Sequence, residues 1–265
     1  MKTIAVVNRK GGVGKSTVAA HLAGALTAAG QRVLLVDTDP QGNAGALVGI
    51  RRESGLYSFL VDNADFADVC RTVPSDAILP IGRLSAHPLI VLPGDSKTQV
   101  IPQLVRSAYA LANRLDEAAD HFDYIILDTA PTITMFDGSV MLAADAVVYV
   151  TECERLALEG LQSGLKELKD AAAPRRGVSL PEPRVLGIVP NKLRRGTANH
   201  AANLTMIRKA FGDLIFEPIP LLTIIGEASN YGKLVSAYAP GSEAAAAFAR
   251  LFKQFTEAMG AWEKI

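Results

Sequence analysis

The sequence predicts an α/β fold, a mostly parallel, twisted sheet with helices on both faces. Short, mostly β-branched apolar runs recur at residues 3–7, 33–36, 89–92, 124–127, 146–150 and 185–189. Between them lie stretches with helical spacing, such as Leu158, Leu161, Leu165 and Leu168. The runs are apolar throughout rather than alternating, as expected of parallel strands whose crossover helices cover both sheet faces.

Composition supports this and removes other classes. Hydrophobic residues make up 49% and charged residues 20% of 265, which suits a folded chain with a sizeable core and excludes disordered and fibrous proteins. Lys+Arg and Asp+Glu both total 27, so any site for a polyanion must be a local patch. Cys70 and Cys153 are too few for a disulfide framework or a Cys-ligated zinc site, and four scattered histidines show no metal-binding spacing. The start of the chain has no secretory pattern and no apolar run reaches the ~18 residues of a membrane span, so the expectation is a reduced, cytoplasmic protein. The Pro-rich stretch 173–183 reads as a surface loop. Because a strand follows it, residues 1–265 are expected to form a single domain.

The first strand runs into Asn8, Arg9, Lys10, Gly11, Gly12, Val13, Gly14, Lys15, Ser16 and Thr17, and 18–29 reads as an Ala/Leu-rich helix. Strand, glycine loop and helix in that order make a phosphate-binding loop of the P-loop NTPase kind. Glycines turn backbone N–H groups toward phosphate oxygens, the helix N-terminus adds its dipole, Lys15 brings a compact charge to the β/γ-phosphates, and Ser16 offers a hydroxyl to Mg²⁺. Arg9 stands where the usual Walker A pattern has glycine, and a second lysine, Lys10, precedes Gly11 and Gly12.

That second lysine marks the deviant Walker A group, and the chain resembles the ParA/MinD family of ATPases. Three further stretches carry the resemblance: Val33 to Asn43 with Asp37 and Asp39, Tyr124 to Pro131 with Asp128, and Glu227 to Lys233. The resemblance implies ATP and Mg²⁺ as cofactors, Asp128 as the Walker B carboxylate acting on Mg²⁺, and Asp37 near the metal shell. It also implies that Asp39 positions the attacking water. Thr129 to Pro131 would respond to the γ-phosphate, and Lys10 would reach the phosphates of a facing subunit, so that hydrolysis and dimerisation become one event. Asn191 and Pro220 stand where the family holds adenine. Iron–sulfur relatives with the same loop need a cysteine soon after the Walker B strand, and 132–140 has none.

Two surfaces compete as the working face. From Lys166 to Lys209 ten Lys/Arg stand against three acids, the footprint of phosphate-backbone binding. Where ParA proteins commonly carry arginines ahead of the Glu-Ala segment, this chain has Leu221, Leu222, Thr223, Ile224 and Ile225. Lys192, Arg194 and Arg195 are therefore expected to carry the DNA contact. The other candidate is a terminal amphipathic helix for membrane attachment, as in MinD. Phe248, Leu251, Phe252, Phe255, Met259 and Trp262 do form an apolar stripe, but acids offset its basic residues, and the stripe is expected to pack into the core. The resemblance implies a partition or positioning ATPase that forms an ATP sandwich homodimer, binds DNA nonspecifically on the nucleoid, and is released when a centromere-binding or cargo adaptor protein stimulates hydrolysis. The alternative is a MinD-like peripheral membrane ATPase that recruits a division or localisation partner.

Overall fold

The computed structural model describes residues 1–131, 135–173, 175 and 180–262. Parts of the 173–183 loop, including Arg176, and the terminal Glu263 and Lys264 lie outside the described residues. Seven strands form one sheet: β1 (Lys2–Val7), β2 (Val33–Asp37), β3 (Arg71–Thr72), β4 (Leu89–Leu92), β5 (Tyr124–Asp128), β6 (Ala146–Glu152) and β7 (Arg184–Asn191). Their order is β3-β4-β2-β5-β1-β6-β7, parallel throughout except for the edge pair β3–β4. The fold expected from the apolar runs is the one observed.

Alternation along each strand divides the core in two. Ile4, Val6, Leu35, Ile126 and Val148 face the helices Lys15–Ala28 and Glu243–Trp262. Ala5, Leu34, Val36, Ile125 and Val147 face the side holding Ala110–Asp116, Met135–Ala143, Ala157–Ala172 and Ala198–Phe211. Each fully buried aliphatic side chain contributes about 1.5–3 kcal/mol.

Helix Lys15–Ala28 packs closely because its buried face is small: Ala19, Ala20 and Ala23 are fully buried, and a Cβ at Gly24 would lie 2.3 Å from Leu234. It starts at Lys15, three residues before the expected start, because the end of the glycine loop supplies its first turn: the Val18 N–H donates to the Gly14 carbonyl at 3.0 Å. The stripe of the last helix turns inward, with Phe248, Leu251, Phe255 and Met259 buried and the Phe248 ring stacked 3.6 Å from His21. Among the described residues no helix is long and apolar enough to cross a membrane.

Parallel strands open their loops on the same side, so the segments after β1, β2 and β5 meet at the carboxyl ends of three adjacent strands. That is where an open α/β sheet binds ligands.

Candidate functional site

The loop after β1 is shaped by contacts that only glycine tolerates. Gly12 and Gly14 have φ of 75° and 97°, and a Cβ at Gly14 would lie 2.1 Å from the Asn191 amide nitrogen. Asn191, buried at the end of β7, donates that amide to the Val13 carbonyl at 2.7 Å and so braces the loop from behind. Asn8 ties the front to β6 by donating to the Val150 carbonyl at 2.5 Å and accepting the Lys10 N–H at 2.9 Å. Lys15 opens the helix with its side chain buried and its ammonium 3.5 Å from the Lys10 carbonyl. The loop therefore ends on the N-terminus of a 14-residue helix beside a buried lysine, a fitting setting for an anion.

Three buried carboxylates face this loop from the neighbouring strand ends. Asp37 and Asp128 are register partners at the ends of β2 and β5, and Asp39 lies two residues beyond Asp37. Asp37 accepts N–H bonds from Ala44 at 2.8 Å and Asp39 at 3.2 Å. Burial nevertheless pushes its carboxyl up to about 7, and Asp39 adds to the effect. Asp128 is raised well above the carboxylate range by burial and by Asp37, while Ser16 and Lys15 pull the other way. Among the described residues neither carboxylate oxygen of Asp128 finds a hydrogen-bond partner. The strand ends are locked by Thr38, whose hydroxyl donates to the Asp128 carbonyl at 2.6 Å, and by Thr129, which donates to that of Val6 at 2.8 Å.

Unpaired carboxylates in a buried position are costly, and a cation is what relieves them. No three His, Cys, Asp or Glu side chains converge as a ready-made cage among the described residues. Mg²⁺ does not need one, since it keeps several waters and takes one or two carboxylates together with substrate phosphates. The donors around Asp128 and Ser16 fit such an ion.

Lys10 lies outside the pocket of Lys15. Its half-exposed ammonium is 2.5 Å from Glu154 and 2.9 Å from Glu152, and these two carboxylates hold its pKa above the usual lysine value. Glu152 also receives Lys192 at 3.2 Å, and Arg9 pairs with Glu167 at 2.5 Å. The front of the loop is thus held by acids from the end of β6, the segment after it and helix Ala157–Ala172. Sequence reasoning missed Glu152 and Glu154, which the pairing of β6 with β1 brings to the loop.

Residues 1–175 match the AAA-domain family. The chain is 33% identical over 260 residues to the chromosome-partitioning ATPase Soj of Thermus thermophilus, covering 96% of this chain and 95% of Soj. It belongs to the ParA/MinD family of ATPases. The fold agrees with an ATP complex of a McdA variant from Cyanothece (TM-score 0.79, 22% identity, 98% of this chain and 96% of that one). It agrees also with the septum site-determining protein MinD complexed with Mg-ADP from Pyrococcus horikoshii (TM-score 0.76, 23% identity, 100% of this chain and 99% of that one).

In this ParA/MinD member the remaining predicted residues fall in two places. Asn191 and Pro220 lie near the phosphate loop: Asn191 holds Val13, and Pro220 is buried and bridges to Leu193, two residues beyond Asn191. The three basic residues expected to meet DNA separate. Lys192, at φ 53°, turns its ammonium to the Gly12 carbonyl and Glu152, against the phosphate loop. Arg195 is exposed and pairs with Glu243, and Arg194 is exposed beside it. Leu221, just ahead of helix Thr223–Asn230, is 49% exposed.

Proposed function

We propose that residues 1–265 act as one ATPase domain that binds ATP with Mg²⁺, closes into a homodimer around the nucleotide and hydrolyses it to ADP and phosphate. The chain belongs to a family of partition and positioning ATPases. On that footing the dimer holds DNA nonspecifically, and a centromere-binding or cargo adaptor protein triggers hydrolysis and release. The observation that carries this reading is the set of buried carboxylates at the mouth of the glycine loop, where Ser16 and Lys15 only partly offset the burial of Asp128.

The roles we assign are consistent with this placement. The loop N–H groups from Gly11 to Thr17 and the ammonium of Lys15 offset the phosphate charge. Ser16 and Asp128 would hold Mg²⁺, with Asp37 near its shell. Asp39 accepts the Gln41 N–H at 2.8 Å with one oxygen, which leaves the other to orient a water. Lys10, which cannot duplicate Lys15 from outside its pocket, supplies charge to the partner's phosphates in the transition state. Asn191 and Pro220 border the base. Arg194 and Arg195 meet DNA phosphates, while Lys192 serves the loop first.

Membrane attachment is the weaker reading, because the apolar stripe of the last helix is already used in the core. The test is ATP binding and turnover measured side by side. Lys15→Ala should lose ATP, whereas Asp39→Ala should keep ATP and lose turnover. Equal loss of ATP affinity in both variants would refute the role given to Asp39.

A further inference from the structure

Away from the phosphate loop, a cavity of about 560 Å³ opens at the sheet edge beside β3. It lies within the ~300–1,000 Å³ range of ligand pockets. Its floor is aromatic: Phe66 lies between Phe59 and Phe122, with centroids 5.8 and 5.6 Å away, and Ile90 of β4 completes it. None of the residues lining it belongs to the nucleotide site.

The wall is built by two arginines. Arg114 donates to the carbonyls of Phe59 at 3.3 Å and Ala64 at 2.8 Å, with its guanidinium 4.2 Å over the Phe59 ring. Arg71 donates to the carbonyls of Asp68 and Cys70, both at 2.9 Å. Their remaining charge goes to Glu117 and Glu53. Both cations of the wall are therefore engaged inside it, while the segments around the mouth present Asp62, Asp65, Asp68, Asp116 and Asp120, all exposed. Arg32 donates to the Asp120 carbonyl at 2.7 Å and its charge acts on that carboxylate, whereas among the described residues no ion pair reaches Asp62, Asp65, Asp68 or Asp116.

We propose that this cavity is a docking site for a partner protein, taking one large apolar side chain from a segment flanked by lysines or arginines. The aromatic floor supplies the anchor pocket and the acidic mouth selects positive flanks. The same acids disfavour an anionic lipid surface. They also disfavour a second copy of this chain, because a two-fold contact would set the acidic mouth against itself. No residue of the nucleotide site lines the cavity, so occupancy of this edge is expected not to depend on nucleotide. The proposal stands apart from the ATPase reading.

The probe is a fluorescein-labelled peptide with one tryptophan among lysines, compared with the same peptide carrying serine instead, titrated into the full chain with and without Mg-ATP. Two variants change only exposed positions: Ala67→Trp, which fills the cavity from its wall, and the triple change Asp62→Asn, Asp65→Asn, Asp68→Asn. The tryptophan peptide should bind at least about tenfold tighter than the serine peptide. Ala67→Trp should abolish that preference, the triple variant should weaken both peptides several-fold and flatten their salt dependence, and Mg-ATP should change neither result. Equal binding of the two peptides, or an unchanged preference in Ala67→Trp, would overturn the proposal. A nucleotide-independent dimer that Ala67→Trp dissociates would overturn it too, by giving the cavity to a second copy. ATP binding measured on the same samples keeps either failure separate from a failure of the ATPase reading.

Discussion

The ammonium of Lys10 lies 2.5 Å from a carboxylate oxygen of Glu154 in the same chain, with Glu152 2.9 Å away on the same nitrogen. If Lys10 acts on the phosphates of a partner, it must first leave these acids. The pairs are largely exposed on the lysine side, and such pairs contribute only about 0–1 kcal/mol. They bias the lysine without trapping it. Glu154→Gln is expected to tighten ATP-dependent dimerisation by up to about fivefold for each of the two Lys10 side chains, about 25-fold for the dimer, and to leave ADP affinity unchanged. Sedimentation velocity with ATP and with ADP reads both; weaker dimerisation in the variant would mean that Glu154 helps Lys10 across the interface instead.

The buried carboxylates make stability depend on pH in an unusual direction. Asp37 is lifted from 3.8 to about 7 and Asp128 is raised as well, so the folded chain binds protons that the unfolded chain has released. The contribution of these carboxylates to the stability of the ligand-free protein is therefore expected to fall as pH rises from about 4 through 7, the reverse of a salt-bridged aspartate, while buried His21, held down to about 4, works the other way below about pH 6.5. Asp128→Asn removes one buried charge at nearly constant shape. It should raise the melting temperature at pH 8 by roughly 2–4 °C per kcal/mol relieved, flatten the pH profile and abolish stabilisation by Mg²⁺ with nucleotide. A melting temperature that rises from pH 6 to pH 8 in the wild-type chain would contradict this.

Much of this was legible in the sequence, for physical reasons that differ by residue. Asp37 and Asp128 each end an apolar run, and in a parallel sheet a polar residue in that position has to sit at the ligand edge. The glycines of the loop announce backbone turns that other residues resist. Strand β3 was not legible, since two residues, Arg71 and Thr72, carry no periodicity and pair only because β4 leaves an edge open. The partners of Lys10 were hidden for another reason: Glu152 and Glu154 are more than 140 positions away and arrive only through the pairing of β6 with β1. Lys192 looked like part of a basic tract, yet its left-handed backbone, φ 53°, turns it toward the phosphate loop, and no spacing rule anticipates that.

DNA contact through the exposed loop after β7 has its own signature. Replacing Arg194 and Arg195 together by alanine should weaken binding to every duplex sequence alike and reduce the slope of log affinity against log salt, with ATP-driven dimerisation intact. Lys192→Ala should act differently, because its ammonium braces Gly12 and Glu152, and it should disturb nucleotide affinity as well. Fluorescence anisotropy across a salt series checks the first, and ATP titration the second. An unchanged slope in the double variant would remove this loop from the DNA surface.

The central claim is that ATP joins two chains and that Lys10 acts across the joint. Sedimentation velocity of Asp39→Ala in Mg-ATP tests it most directly, because a hydrolysis-defective chain should accumulate in the joined state. The expected result is a species of twice the 28.1 kDa chain mass with ATP and a monomer with ADP, the dimer being lost when Lys10→Ala is added while ATP affinity of the monomer persists. A chain that binds ATP yet stays monomeric, or a dimer indifferent to Lys10→Ala, would contradict it.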